Sequence, residues 1–207
     1  MINGAKKVGI MGGTFDPIHY GHLMIAENAA QQFNLDYVLF IPAGNPPHKK
    51  KKQITDADIR YEMVKIAIKD NPHFLISKME IERKTYSYTY LTIQELKQKY
   101  PQTEFYFIMG ADSLFDFEQW VEPQSIADSA VIVVAVRDFF DHEILNSKID
   151  QLERLFQADI KILNTPNFSI ASHDIRDRIE NHVSARYQLP DQVLEFIFKN
   201  ELYSSNK

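Results

Sequence analysis

At 207 residues with 44% hydrophobic content, the chain can bury one ordinary core but falls short of two independent ones. Its 23 basic and 28 acidic side chains leave a formal charge of −5, so no general attraction to nucleic acid or to a membrane surface is expected. The absence of cysteine excludes disulfides, thiolate zinc sites and cysteine nucleophiles, and no apolar run approaches the roughly 20 residues that span a bilayer, so the cytoplasm is the expected address.

Short runs rich in β-branched and aromatic residues alternate with stretches of helical period. Val8 to Met11 reads as a strand that stops at Gly12-Gly13. From His19 to Phe33 the apolar residues Leu23, Ala26, Ala30 and Phe33 fall on one face, which predicts the first helix. Tyr37 to Ile41 is a second strand, and Pro42-Ala43-Gly44-Asn45-Pro46-Pro47 is a loop that continues into the basic cluster His48 to Lys52. Thr55 and Asp58 have capping-box spacing ahead of a helix that should stop before Asn71-Pro72. Phe74 to Ile76 is a third strand, Tyr88 to Tyr100 a helix, Phe105 to Met109 a strand, Gly110-Ala111-Asp112 a turn, and Ala130 to Val136 a strand. Asp141 to Phe156 is a helix, Ile160 to Leu163 a last short strand, and helices begin near His173 and Pro190.

Strands that are apolar on both faces and separated by helices imply a parallel sheet covered on both sides. The expectation is an α/β, Rossmann-like doubly wound sheet over residues 1–165, with a small helical C-terminal lobe over 166–207 packed on the same core in a single domain. In such a sheet the turn after the first strand holds phosphate at the start of the following helix. Gly12 to His22 occupies that place. Gly12 and Gly13 can adopt positive φ and let a phosphate approach the backbone. His19 and His22, three apart at a helix start, become neighbours on one face, with Gly21 leaving room beside them. Two imidazoles aimed at a nucleoside triphosphate suit phosphoryl-type transfer, which needs alignment and neutralisation of developing charge. The competing interpretation is that the two histidines merely cap the helix. A zinc site is disfavoured, because His-x-x-His lacks the His-Glu-x-x-His order and no cysteine can complete a tetrahedron, so no metal ligand is assigned. The turn matches neither the P-loop nor the dinucleotide fingerprint.

The stretch Gly12-Gly13-Thr14-Phe15-Asp16-Pro17-Ile18-His19-Tyr20-Gly21-His22 resembles the signature of the His-x-Gly-His nucleotidyltransferases. Pro46-Pro47-His48-Lys49, Ser87-Tyr88-Thr89 and Gly110-Ala111-Asp112 leading to Trp120 are similar to the bacterial nicotinate-nucleotide adenylyltransferases within that superfamily. The resemblance implies adenylyl transfer from ATP to nicotinate mononucleotide, giving nicotinate adenine dinucleotide and pyrophosphate in NAD biosynthesis, with Mg²⁺ accompanying ATP. The partners implied are these small molecules, and a homo-oligomer is left open.

By the same resemblance, His19 and His22 are the catalytic pair, and Gly12, Gly13, Thr14, Phe15, Gly110, Asp112, Ser172 and Arg176 join them in binding ATP. His48, Lys49, Thr89 and Trp120 are assigned to nicotinate mononucleotide. Four of them have a plainer alternative: Lys49 belongs to a solvated lysine run, Trp120 can plug a loop onto the core, Asp112 can cap the next segment, and Arg176 can be a surface residue beside Ile175 and Ile179. Ser169-Ile170-Ala171-Ser172-His173-Asp174-Ile175-Arg176 resembles the family's Ile-Ser-Ser-Thr-x-Ile-Arg element, but Ala171 and His173 stand where it has serine and threonine. Leu91 stands where aspartate is common. The contacts of those three side chains are not carried over. Rival readings are a phosphopantetheine adenylyltransferase, a cytidylyltransferase, or a nucleotide-binding module without turnover.

Overall fold

The computed structural model describes residues 2–46, 54–136, 142–166 and 169–204. Six parallel strands form one sheet: β1 (Lys7–Gly13), β2 (Tyr37–Pro42), β3 (Phe74–Ile76), β4 (Glu104–Gly110), β5 (Val131–Ala135) and β6 (Ile160–Leu163). Their spatial order is β3-β2-β1-β4-β5-β6. Ile10 of β1 faces Leu39 on one side and Phe107 on the other, so β1 and β4 meet at the point where the direction of winding reverses. A crevice opens at the carboxyl ends of strands at such a switch point.

The helices divide between the two faces. Val38 and Phe40 point into one buried cluster with Ala26 of α1 (Tyr20–Gln32) and Met63 of α2 (Ala57–Ile68). Ile175 of α8 (Ser172–Glu180) and Val193 of α9 (Asp191–Lys199) join that cluster, so the C-terminal helices share the core of the first half. Leu39 and Ile41 point the opposite way, toward Ile93 of α4 (Thr89–Lys99), Leu114 of α5 (Ala111–Phe115), Ile126 of α6 (Pro123–Ala127) and Leu152 of α7 (His142–Phe156). This two-sided burial is why the strands carry no polar alternation.

Two sequence expectations need correction. The N-cap of α2 is Asp56, whose carboxylate accepts from the amides of Asp58 and Ile59 at 2.9 and 3.4 Å, and Thr55 spends its backbone carbonyl on Arg60 instead. The capping-box spacing was one residue out of phase with the better acceptor. Gly110-Ala111-Asp112 begins α5, and α3 (Met79–Glu82), α6 and a 3₁₀ turn, Phe117–Gln119, are further helical turns that periodicity does not mark. Elements of three to five residues carry too few apolar positions to show a period.

One buried cation organises the elements around β1. Arg60 of α2 is 1% exposed and donates three hydrogen bonds to backbone carbonyls, to Thr55 from Nε at 2.8 Å, to Thr14 from Nη1 at 2.6 Å and to Ala43 from Nη2 at 2.7 Å. Burial lowers its pKa, while the neighbouring Asp16 carboxylate favours the charged form. Replacing Arg60 with Met would strand three carbonyls behind a side chain of similar length. The expected loss is about 3 kcal/mol or more of unfolding free energy, to be read from the shift of the urea midpoint at unchanged slope.

Candidate active site

The turn between β1 and α1 is shaped by side chains that grip it from outside. Gly12 and Gly13 remain in the extended end of β1, and the left-handed φ anticipated for them falls on Phe15 instead, at 51°. That conformation is costly for an aromatic residue, and packing holds it. The Phe15 ring is buried, edge-on to the His22 imidazole at 5.0 Å and beside Phe40 at 5.9 Å, so any ligand contact from Phe15 belongs to its backbone. Gly13 lies against the same ring, and a Cβ there would sit 3.0 Å from it.

His19 is the residue before α1, and its amide donates to Nδ1 of His22 at 3.3 Å. The two imidazoles stack at 3.7 Å between centroids, with 28° between their planes. Helix capping and a paired imidazole site are therefore compatible here, since one geometry accomplishes both. A Cβ on Gly21 would approach the His19 ring to 3.0 Å, so glycine is what permits this ring position. His19, Gly21 and His22 line a cavity of about 220 Å³ with Ile170, Ala171 and Ser172 on its far wall.

Ser172 Oγ donates to the Pro17 carbonyl at 2.9 Å, and Arg176 Nη1 donates to the Asp16 carbonyl at 2.6 Å. Both residues expected at ATP thus brace the turn that carries the histidines, and Arg176 lines a different cavity from Ser172. His173 projects outward, with Nε2 3.1 Å from Asp174.

A larger cleft of about 360 Å³ opens at the other end of the turn, lined by Gly12, Gly13, Thr14, Thr89, Trp120 and Glu80 among others. Thr89 is the first residue of α4, so the helix N-terminus with its unpaired amides meets the cleft. The Trp120 indole packs on Phe107 and Phe117 at 6.0 and 5.7 Å while lining the cleft, so anchoring to the core and offering a ring to a ligand coexist. An added Cβ on Gly12 or Gly110, at the ends of adjacent strands, would meet no atom within 4 Å. Asp112 lies exposed in the first turn of α5, after Gly110 as its N-cap. His48 and Lys49 lie outside the described residues. Among the described residues no three His, Asp or Glu side chains gather to hold a metal ion, and no helix is long and apolar enough to cross a membrane.

Sequence reasoning missed Glu80, Arg60 and Asp16. Glu80 is 7% exposed, and its Oε1 accepts from the Thr92 hydroxyl at 2.6 Å, which in turn accepts from Arg83 at 3.1 Å. The Ser87 hydroxyl accepts from the Gly44 and Asn45 amides at 3.0 and 3.1 Å. Gly44 packs so closely on the Glu80 carbonyl that no side chain fits there. Only contacts across the cleft reveal this clamp; an isolated glutamate before Arg83 carries no such mark in the sequence.

A parallel sheet ending, at its switch point, on a turn with paired imidazoles is the architecture of an α/β nucleotidyltransferase. The family model described as cytidylyltransferase-like matches residues 10–178. The chain belongs to the nicotinate-nucleotide adenylyltransferase family within that class: it is 46% identical over 200 residues to a protein of Desulfitobacterium hafniense named probable nicotinate-nucleotide adenylyltransferase, covering 96% of each chain. A relative of the same name from Clostridium botulinum is 45% identical over 198 residues, 96% of this chain and 98% of the other. The fold matches that of the nicotinic acid mononucleotide adenylyltransferase of Plasmodium falciparum, solved with NaAD, at a TM-score of 0.78 and 22% identity, covering 96% of this chain and 97% of that one.

Burial raises the Glu80 pKa, and hydrogen bonds from Thr92 and Ser87 oppose the shift without cancelling it. A carboxyl whose folded-state pKa lies above its unfolded value holds its proton longer in the folded protein. Its contribution to stability therefore falls as pH rises from the ordinary glutamate range through the raised value. In Glu80→Gln this slope should vanish. Unfolding free energies of the two proteins, measured from pH 4 upward, should converge toward low pH in their pH dependence and part above it.

Proposed function

We propose that this chain joins the 5′-phosphate of nicotinate mononucleotide to the adenylyl group of ATP in one in-line displacement. A phosphate oxygen of the mononucleotide forms a bond to the α-phosphorus of ATP, the bond from that phosphorus to the bridging oxygen breaks, and pyrophosphate leaves. No general base is required, because the attacking phosphate is already ionised. The observation that carries this reading is the stacked His19–His22 pair at the start of α1, which lines the smaller cavity while Gly12, Gly13 and Thr14 at the start of the same turn line the larger cleft.

In this reading the smaller cavity takes the ATP side, with His19 and His22 donating to the α-phosphate oxygens as charge develops. The bare backbone at Gly12 and Gly110 lets the nucleotide lie across the ends of β1 and β4, and Thr14 adds a donor. Asp112 can accept from a ribose hydroxyl. Ser172 and Arg176 act on ATP chiefly by fixing the turn. Mg²⁺ would accompany ATP as part of the substrate and would supply positive charge to its phosphates. The larger cleft takes the pyridine ring against Trp120, with the nicotinate carboxylate at the N-terminus of α4 beside Thr89. His48 and Lys49 supply charge to the mononucleotide phosphate by family resemblance. Residues 1–207 act as one catalytic unit, in the cytoplasm. The resemblance leaves assembly into a homo-oligomer open.

His22→Ala should lower kcat by about 10²-fold or more with folding unchanged, as loss of a donor to developing charge does. Near-normal pyrophosphate release by that variant overturns the assignment. Initial rates with an acceptor panel test the substrate. The acid should exceed nicotinamide mononucleotide in kcat/KM by at least about tenfold, the discrimination that a helix N-terminus and its amides exert on a charge. Preference for pantetheine phosphate overturns the nicotinate reading.

A further inference from the structure

The C-terminal segment after α9 reaches back across the whole chain to the catalytic turn. The Tyr203 hydroxyl donates to Oδ1 of Asp16 at 2.6 Å across 187 residues of sequence. Asp16 is 7% exposed and lies three residues before His19, and its Oδ2 accepts from the Thr55 amide at 3.3 Å. The backbone carbonyl of the same residue is held by Arg176. Residue 16 is thus grasped by its carbonyl from α8 and by its carboxylate from the chain terminus. The phenol is a durable donor, because burial and the Asp16 charge raise its pKa far above neutrality.

The segment is bent to make this contact. Glu201 and Tyr203 have φ of 52° and 60°, a left-handed conformation that costs free energy in residues other than glycine. The Leu202 amide donates to the Ile197 carbonyl at 3.0 Å, and the Ser204 hydroxyl to the Glu201 carbonyl at 2.8 Å, folding the segment back on α9. Such a conformation presents one hydroxyl to one buried carboxylate of the phosphate turn.

We propose that Tyr203 is a positioning residue of adenylyl transfer, which through Asp16 holds the β1–α1 turn and its two histidines in the arrangement that receives the ATP phosphates. The role rests on the adenylyl-transfer reading above. Tyr203 touches no substrate; it acts by denying the turn alternative positions, where displacements near 1 Å are enough to slow transfer. The hydroxyl also ties the C-terminal segment to the ATP side of the site and leaves the nicotinate cleft alone.

The test compares Tyr203→Phe with Leu202→Ala in the full chain, at a temperature where both are folded by circular dichroism. Leu202→Ala loosens the packing of the same segment on the core without touching Asp16. Tyr203→Phe should lower kcat/KM for ATP roughly tenfold, with the KM for nicotinate mononucleotide unchanged. Leu202→Ala should lower Tm and keep its kinetic constants. Asp16→Asn combined with Tyr203→Phe should cost less than the sum of the single changes, as residues acting through one contact do. Kinetic constants of Tyr203→Phe equal to those of the unmodified chain or of Leu202→Ala, or full additivity with Asp16→Asn, overturn the proposal. An unmodified chain without pyrophosphate release speaks against the reaction instead, and calorimetric ATP affinity of Tyr203→Phe then still decides whether the latch shapes the phosphate turn: a weakened affinity supports it and an equal one overturns it.

Discussion

The carbonyls of a turn packed under other elements must find partners, because buried backbone acceptors left unpaired are expensive. That constraint governs the region around β1. The Thr14 carbonyl is met by Arg60, the Asp16 carbonyl by Arg176 and the Pro17 carbonyl by Ser172. The donors come from α2 and α8, helices far apart in the chain that pack on the same face of the sheet. The C-terminal helices are therefore part of the support of the β1–α1 turn.

The same arrangement explains why charge is buried where the chain is otherwise apolar. The Asp16 carboxylate favours the charged form of Arg60, and both side chains are hydrogen-bonded, Arg60 to three carbonyls and Asp16 to the Thr55 amide and the Tyr203 hydroxyl. A buried charge held in this way is costly to deprive of its partners. It fixes one conformation of the turn, which is what phosphoryl transfer by alignment requires.

On the opposite side of β1 a second polar network does comparable work for the larger cleft. Glu80, Thr92 and Arg83 join α3 to α4, while Ser87 holds the Gly44–Asn45 backbone, so the N-terminus of α4 is set against the end of β2. Phe107 and Phe117 set the indole of Trp120 in the same way. Two cavities of different character thus share one turn: one beside imidazoles, the other beside a helix N-terminus and an aromatic face. That division matches the two halves of a reaction joining two nucleotides.

The sequence by itself determined the parallel sheet, the longer helices to within a residue or two, and the turn with His19 and His22. Apolar runs and local spacing record these because each depends on neighbours a few residues away. It also carried the family resemblance through Thr89 and Trp120. What tertiary structure decided was the work of residues whose partners lie far along the chain. Arg60, Glu80 and Tyr203 carry no local mark of their roles in the sequence. Ser172 and Arg176 were legible as members of a motif, but their hydrogen bonds to Pro17 and Asp16 were not. The left-handed φ moved from Gly12 and Gly13 to Phe15 for the same reason: burial of its ring against Phe40 and His22 outweighed the local preference for glycine.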